Sequence, residues 1–311
     1  MVVVLVEQSG GAPTDPSLQA LTLARSLGEP VHALLIKSPV DLSGNGVEVA
    51  HVAEHEVLET YAPEAWAAIL GQLADRLQAT AVFAPGTERG NEVMARVAAR
   101  MALPMAANCT RITPGSPMTL TRQRWGGSLL EEAALRSSRP LITVAPHTVP
   151  IEPAPAETRI EKFTPQLKEH ELAVRVLEHV AAPGGGVSLA EAKVIVSGGR
   201  GVGSKEGFAI IEELAGLLGA AVGCSRAVTS AGWRPHTDQV GQTGTKVAPE
   251  VYIACGISGA TQHMAGLKGA KRILAINSDQ QAPLMLNADF TVVGDLKEIV
   301  PAISAEIRKL R

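Results

Sequence analysis

Cysteine is scarce: Cys109, Cys224 and Cys255 are the three thiols of a 311-residue chain, widely spaced and outside any CxxC or Cys/His pattern. That excludes a disulfide framework and leaves buried cytosolic thiols as the expectation. A dominant charge is missing too, since 28 basic residues against 31 acidic ones leave a net charge of −3. Such a balance attracts neither nucleic acid nor an anionic membrane, so a small molecule or a protein is the expected partner. No apolar run reaches the ~20 residues that a spanning helix needs. The apolar start, Met1 to Val6, is far too short and lacks a basic flank or cleavage site, so it reads as a first strand of a chain not embedded in a membrane. Metal chemistry finds no footing: His51 and His55 lack a third ligand pattern and are expected in a loop, and His170 and His179 show no metal geometry. No nucleophile, base and oxyanion group combine into one constellation, which argues against a substrate-transforming enzyme.

What is present is α/β alternation, and the length exceeds one ordinary core, so two domains are expected. In the first half, strands are read at Met1 to Val6, Val31 to Ile36, Ala81 to Ala84 and Leu141 to Ala145. Helices fall between them: one opened by Asp15-Pro16 and ended by Gly28, one from Pro63 to Leu77, and one capped by Asn91. The loop from Gly86 to Asn91 is read as an empty turn rather than a phosphate site. Arg122, Arg124, Trp125, Glu131 and Glu132 are read as solvated charge with a partner surface as the alternative. From Pro150 to Gly186 prolines interrupt a mixed-charge stretch that ends in three glycines, which divides the chain into 1–186 and 187–311. Beyond it Ser188 and Glu191 form a possible capping box. Strands at Lys193 to Val196, Ala221 to Gly223, Val251 to Ala254, Ile273 to Ile276 and Phe290 to Val293, with a helix from Lys205 to Leu218, predict a five-stranded parallel sheet. The fold class is therefore α/β, two domains with mostly parallel sheets flanked by helices, the second doubly wound and Rossmann-like.

The polar groups that follow these later strands stand where open α/β sheets place ligands. Ser225-Arg226 follows one strand; Gln239, Val240, Gly241, Gln242 and Thr243 precede the next; Ser258, Gly259, Ala260, Thr261, Gln262 and His263 follow it. Small residues allow close backbone approach while Ser, Thr, Gln, Arg and His supply directed donors, a set suited to a large, flat, anionic dinucleotide. The loop Ser197 to Lys205 has two rival readings. A P-loop would require Gly-Lys-Ser/Thr, and Gly203-Ser204-Lys205 reverses the last two, so an ATPase is not expected. The looser Gly201-Val202-Gly203 with Gly207 suits a dinucleotide fold, and Arg226 where NAD folds carry an acid keeps an NADP-binding oxidoreductase domain open. A nonredox interaction module is the remaining alternative.

Taken together, Ser197 to Gly201, Ser225-Arg226, Gln239 to Gly244, Ala248 to Ala254, Gly256 to His263, Ala275 to Asn277 and Asp295-Leu296 resemble the alpha subunit of electron transfer flavoprotein, nearly continuously over residues 190 to 300. One departure is that Thr245 separates Gly244 from Lys246, where many relatives carry the lysine directly. The resemblance implies a heterodimer with a beta subunit, one FAD per heterodimer held mainly by the C-terminal domain, and AMP in the beta subunit rather than in this chain. It implies single-electron traffic from acyl-CoA and related dehydrogenases, as in fatty acid β-oxidation, to a membrane electron transfer flavoprotein-quinone oxidoreductase. By the same resemblance the cofactor-binding residues are Arg200, Ser225, Arg226, Gln239 to Thr243, Ser258 to His263, Asn277, Asp295 and Leu296. Within that set His263 is assigned to the flavin C2 carbonyl and Arg226 to the ring face, and both would offset the negative charge that one-electron reduction places near N1 and C2. Thr243 suits a hydroxyl donor to N5, Ser258 to Ala260 suit the pyrophosphate, and Asn277 suits the adenosine end. Asp295 suits that end equally or caps the next helix. Without a visible transit peptide, a bacterial cytoplasm is expected over a mitochondrial matrix.

Overall fold

The computed structural model describes residues 1–178, 188–190 and 192–310. The chain divides into two compact units, Met1–His179 and Val180–Arg311. The expected boundary at 186/187, the three glycines before it, and Glu191 of the possible capping box lie outside the described residues.

In the first unit the elements run β1 Val2–Val6, a short hairpin of β2 Gln8–Ser9 and β3 Ala12–Pro13, α1 Asp15–Arg25, β4 Val31–Ile36, β5 Val49–Ala53, α2 Pro63–Arg76, β6 Ala81–Pro85 and α3 Glu88–Met101. They continue as β7 Met105–Thr113, β8 Met118–Arg124, β9 Leu129–Leu135, β10 Leu141–Val144, β11 Arg159–Phe163 and α4 Glu169–Leu172. Nine strands form one sheet in the order β11-β5-β4-β1-β6-β10-β7-β8-β9. All neighbours are parallel except β7 with β8 and β8 with β9. The five residues of β1 are all buried because helices cover both faces of the central strands, which is why it reads as an unbroken apolar run rather than an alternation. Leu21 and Ala24 of α1 pack with Val4 and Phe83 on one face. On the other, Ile69 and Leu70 of α2 join Val93 and Val97 of α3.

Several first-half expectations are corrected here. His51 is not in a loop: it lies in β5 and is 1% exposed, because paired strands on both sides enclose it. The cap of α3 is Thr87, whose hydroxyl accepts from Gly90 N–H at 2.9 Å, and not Asn91, whose amide instead donates to Gly86 O at 3.0 Å. α1 likewise starts after Thr14. The charge read as solvated lies on the β8–β9 hairpin, where Arg122 and Glu131 pair with Nε···Oε2 at 2.8 Å and Arg124, Trp125 and Glu132 stay exposed, so that expectation stands. Within the Pro-rich stretch, β11 adds to β5 as an edge strand.

The second unit contains β12 Val194–Gly198, α5 Ala209–Leu218, β13 Ala221–Cys224, α6 Arg226–Ser230, β14 Val251–Cys255, α7 Thr261–Gly266, β15 Ile273–Asn277, α8 Pro283–Asn287, β16 Phe290–Val293 and α9 Leu296–Lys309. Its five strands are all parallel, in the order β13-β12-β14-β15-β16. This is the 2-1-3-4-5 order of flavodoxin-like sheets, a doubly wound relative of the Rossmann arrangement. On one face α5 and α9 bury Phe208, Ile211, Leu214 and Val300. The opposite face buries Tyr252, Leu267, Leu284 and Met285.

Candidate functional site

Because the five strands of the second unit are parallel, all their carboxyl ends share one edge, and the order reverses between β12 and β14. That edge gathers the sequence-selected residues. Arg200 opens a 3₁₀ turn after β12. Ser225 and Arg226 follow β13 as the cap and first residue of α6. Ser258 to His263 lead from β14 into α7, Asn277 ends β15, and Asp295 with Leu296 follows β16 and opens α9.

The run from Gln239 to Thr243 is distant from these strand ends in sequence, and two backbone bonds bring it in. Val240 N–H donates to Cys224 O at 2.9 Å, which extends the edge beyond β13, and Gln242 N–H donates to Gln262 O at 2.7 Å, which joins it to α7. A Cβ on Gly266 would stand 2.5 Å from Gly241 Cα, so that junction holds only with glycine. At the reversal itself the backbones also touch. Gly199 N–H donates to Cys255 O at 2.8 Å, and a Cβ on Gly199 would lie 2.1 Å from Gly256 O. These glycines are thus demanded by protein backbone packing, a reason that the motif pattern alone does not distinguish from ligand approach.

The side chains differ in what they leave available. Arg200, Arg226, Thr243, Ser258, Ala260, Thr261 and Gln262 are exposed on this edge. Neither Arg200 nor Arg226 joins an ion pair among the described residues. Gln239, Val240, Gly259 and Leu296 are buried, and the Gln239 amide is spent on Thr229 (2.7 Å) and Thr243 (2.9 Å). Its donation leaves the Thr243 hydroxyl hydrogen free to point elsewhere. Asn277 donates to Ile257 O at 3.1 Å and accepts from Asp279 N–H at 3.1 Å. Asp295 Oδ1 caps α9 through Lys297 N–H at 2.9 Å, so the capping alternative for that residue is present, with a second oxygen left over.

His263 is the chemically distinctive member. It is 6% exposed, and its Nε2 lies 3.1 Å from the hydroxyl of Tyr252, itself fully buried. Its Nδ1 is buried without a hydrogen-bond partner. The Val240 carbonyl is near enough to favour a proton on the ring but does not meet hydrogen-bond geometry. Burial dominates and holds the imidazole down at about 4, so the ring is neutral near pH 7. Sequence reading did not single out Tyr252 or Ser197, because both resemble ordinary strand interior; the signal is their place on the same face of the adjoining strands β12 and β14.

These features fit a flavin dinucleotide on an observation independent of motifs: a buried ring nitrogen without a hydrogen-bond partner among the described residues lies behind exposed guanidinium, hydroxyl and amide groups on one sheet edge. No group of three or more His, Cys, Asp or Glu residues that could hold a metal is found among the described residues.

Comparison with known proteins gives two family matches. The "Electron transfer flavoprotein domain" matches residues 2–168, and the "Electron transfer flavoprotein FAD-binding domain" matches residues 188–268. The chain is 38% identical to "Protein FixB" of Clostridium saccharobutylicum over 99% of this chain and 96% of that protein. It is 35% identical to "Electron transfer flavoprotein subunit alpha" of Thermoanaerobacterium thermosaccharolyticum, covering 99% and 98%. The subunit of the same name in Mycobacterium leprae is 37% identical, covering 98% of each.

Proposed function

Since the chain belongs to the electron transfer flavoprotein family, among its alpha subunits, we propose that it is the FAD-holding chain of a two-subunit electron carrier and not a substrate-transforming enzyme. The observation that carries this reading is the gathering of Arg226, Thr243 and His263 at the carboxyl edge of the second sheet, with the buried Nδ1 of His263 lacking a hydrogen-bond partner among the described residues. Bound FAD would supply reversible one-electron chemistry, which no side chain here can perform.

The chain's own residues do the rest. Arg226 places an exposed positive charge where negative charge on the ligand is stabilised, Thr243 offers a hydroxyl hydrogen, and His263 offers a neutral N–H from a dry position. Ser258 to Ala260 bring main-chain amides to the pyrophosphate, and Arg200 adds charge beside it. Asn277, Asp295 and Leu296 flank the adenosine end. The segment from Gln239 to Gln242 contributes mostly backbone, as Gln239 and Val240 are buried.

Partner and pathway follow the same reading. A beta subunit binds the N-terminal unit and carries AMP, acyl-CoA and related dehydrogenases donate electrons, and a membrane quinone oxidoreductase receives them in a bacterial cytoplasm. No helix among the described residues is long and apolar enough to cross a membrane, which suits a carrier that visits a membrane enzyme. Coexpression with a beta-type partner should give a yellow complex containing one FAD per heterodimer. A colourless, folded complex in excess FAD contradicts the reading, and NADPH titration of such a complex then tests the NADP-binding alternative.

A further inference from the structure

His263 is the third residue of α7, and Tyr252 is the second residue of β14. Their rings meet edge to face, with centroids 6.1 Å apart and planes at 60°, and the phenol oxygen reaches Nε2 at 3.1 Å. Both side chains are buried, so each proton between them must be accounted for.

A neutral imidazole has one donor nitrogen and one acceptor nitrogen, and a phenol has a single hydrogen to give. Burial pushes the Tyr252 phenol up, so it keeps that hydrogen, and the same desolvation keeps His263 neutral. Ser197 Oγ lies beside the phenol, yet no hydrogen bond to it meets the geometry, and Ser197 Oγ counts as unpaired. The phenol hydrogen therefore has Nε2 as its acceptor. An imidazole that accepts at Nε2 carries its own hydrogen at Nδ1, the nitrogen without a partner. A buried donor without an acceptor is destabilising, and a ligand acceptor removes that cost.

We propose that Tyr252 is a positioning residue of the flavin site: its hydroxyl fixes His263 in the Nδ1–H tautomer, so that Nδ1 donates to an acceptor atom of the bound ring system. The inference rests on the FAD reading above and adds to it a residue that touches no ligand. It also explains a tyrosine at a strand position where phenylalanine would bury as much apolar surface. A residue acting through the histidine must shift a property of the histidine and of the flavin, whereas one that only fills space shifts stability alone.

The test uses the heterodimer with ¹⁵N-labelled histidine, its His263 signals assigned by their loss in His263→Gln. In the wild-type complex, ring-nitrogen spectra should show Nδ1 protonated and Nε2 as acceptor, and the Nδ1–H signal should move when FAD is added to FAD-free complex. Tyr252→Phe, which keeps the ring volume, should retain the yellow colour while His263 becomes a mixture of tautomers. Its first-electron midpoint should fall by about 59 mV, the equivalent of a tenfold change for one electron. An Nε2–H tautomer in the wild type, or a Phe variant with unchanged tautomer and midpoint, overturns the inference. If the Phe variant does not fold, the wild-type spectrum alone decides. A colourless complex overturns the FAD reading itself, whereas a yellow complex with Nε2 protonated overturns only the role of Tyr252.

Discussion

At residue scale, the roles proposed for Arg226 and His263 rest on different physics. The guanidinium is exposed and screened, so its influence is Coulombic and modest, on the order of 1 kcal/mol at contact range in water. Arg226→Ala is expected to retain FAD and to lower the first-electron midpoint by some tens of millivolts, measured by spectroelectrochemical titration; an unchanged midpoint removes Arg226 from redox tuning. A different histidine contributes to the acid sensitivity of the first unit. His51 Nε2 lies 3.0 Å from His32 Nδ1, with Glu161 at 3.5 Å and Arg76 at 3.4 Å from its Nδ1. Burial, with the His32 charge next, holds His51 down at about 4. Below pH 6.5 the unfolded chain takes up a proton that the folded one refuses, so the stabilisation present above 6.5 is lost as pH falls towards 4. The slope is at most about 1.4 kcal/mol per pH unit for one group. His51→Gln should flatten the dependence of the unfolding free energy on pH between 6.5 and 4, and an unaltered slope contradicts this account. The motif pattern made His263 legible in the sequence, whereas His51 was not, since a histidine between Ala50 and Val52 interrupts the apolar signal that marks a strand.

At the scale of elements, what the sequence revealed depended on how each strand is buried. β1, β4, β6 and β10 are covered on both faces and appear as apolar runs. β9 and β11 carry charge and have no buried residue, and β8 buries only Met118 and Leu120 among polar neighbours, so all three lack the apolar run that marks a strand buried on both faces. The candidate site was legible because parallel strands put every following loop on one edge; the buried Tyr252 beneath it was not, because nothing in the apolar run Val251 to Ala254 reveals a neighbour eleven residues on. The β8–β9 hairpin presents Leu129 at 53% and Leu130 at 69% exposure, an apolar tip suited to the beta partner. Leu130→Asp should weaken heterodimer formation at least tenfold in a binding titration while shifting stability by no more than about 0.5 kcal/mol; unaltered affinity places the partner elsewhere. Glycines provide a paired test of packing. A Cβ on Gly71 in α2 meets nothing within 4 Å, whereas one on Gly199 meets a carbonyl. Gly71→Ala should raise the unfolding free energy by about 0.5–1 kcal/mol and Gly199→Ala should lower it, both read by urea denaturation.

At the scale of the whole molecule, the two units divide the work. The first supplies a nine-stranded sheet with an exposed hairpin, and the second supplies a smaller parallel sheet whose carboxyl edge carries donors and positive charge. Neither needs disulfides, and the three cysteines are all buried, where desolvation pushes each thiol up to about 12 and keeps it unreactive. Thiol-alkylating reagents should therefore leave the folded protein unmodified at all three cysteines, read by mass spectrometry. The most direct measurement is a crystal structure of the yellow heterodimer. The flavin ring system should lie at the carboxyl edge of the second sheet, against Arg226 and within hydrogen-bond reach of His263 Nδ1. A flavin bound elsewhere, or Arg226 and His263 in separate pockets with no ring between them, would contradict the account.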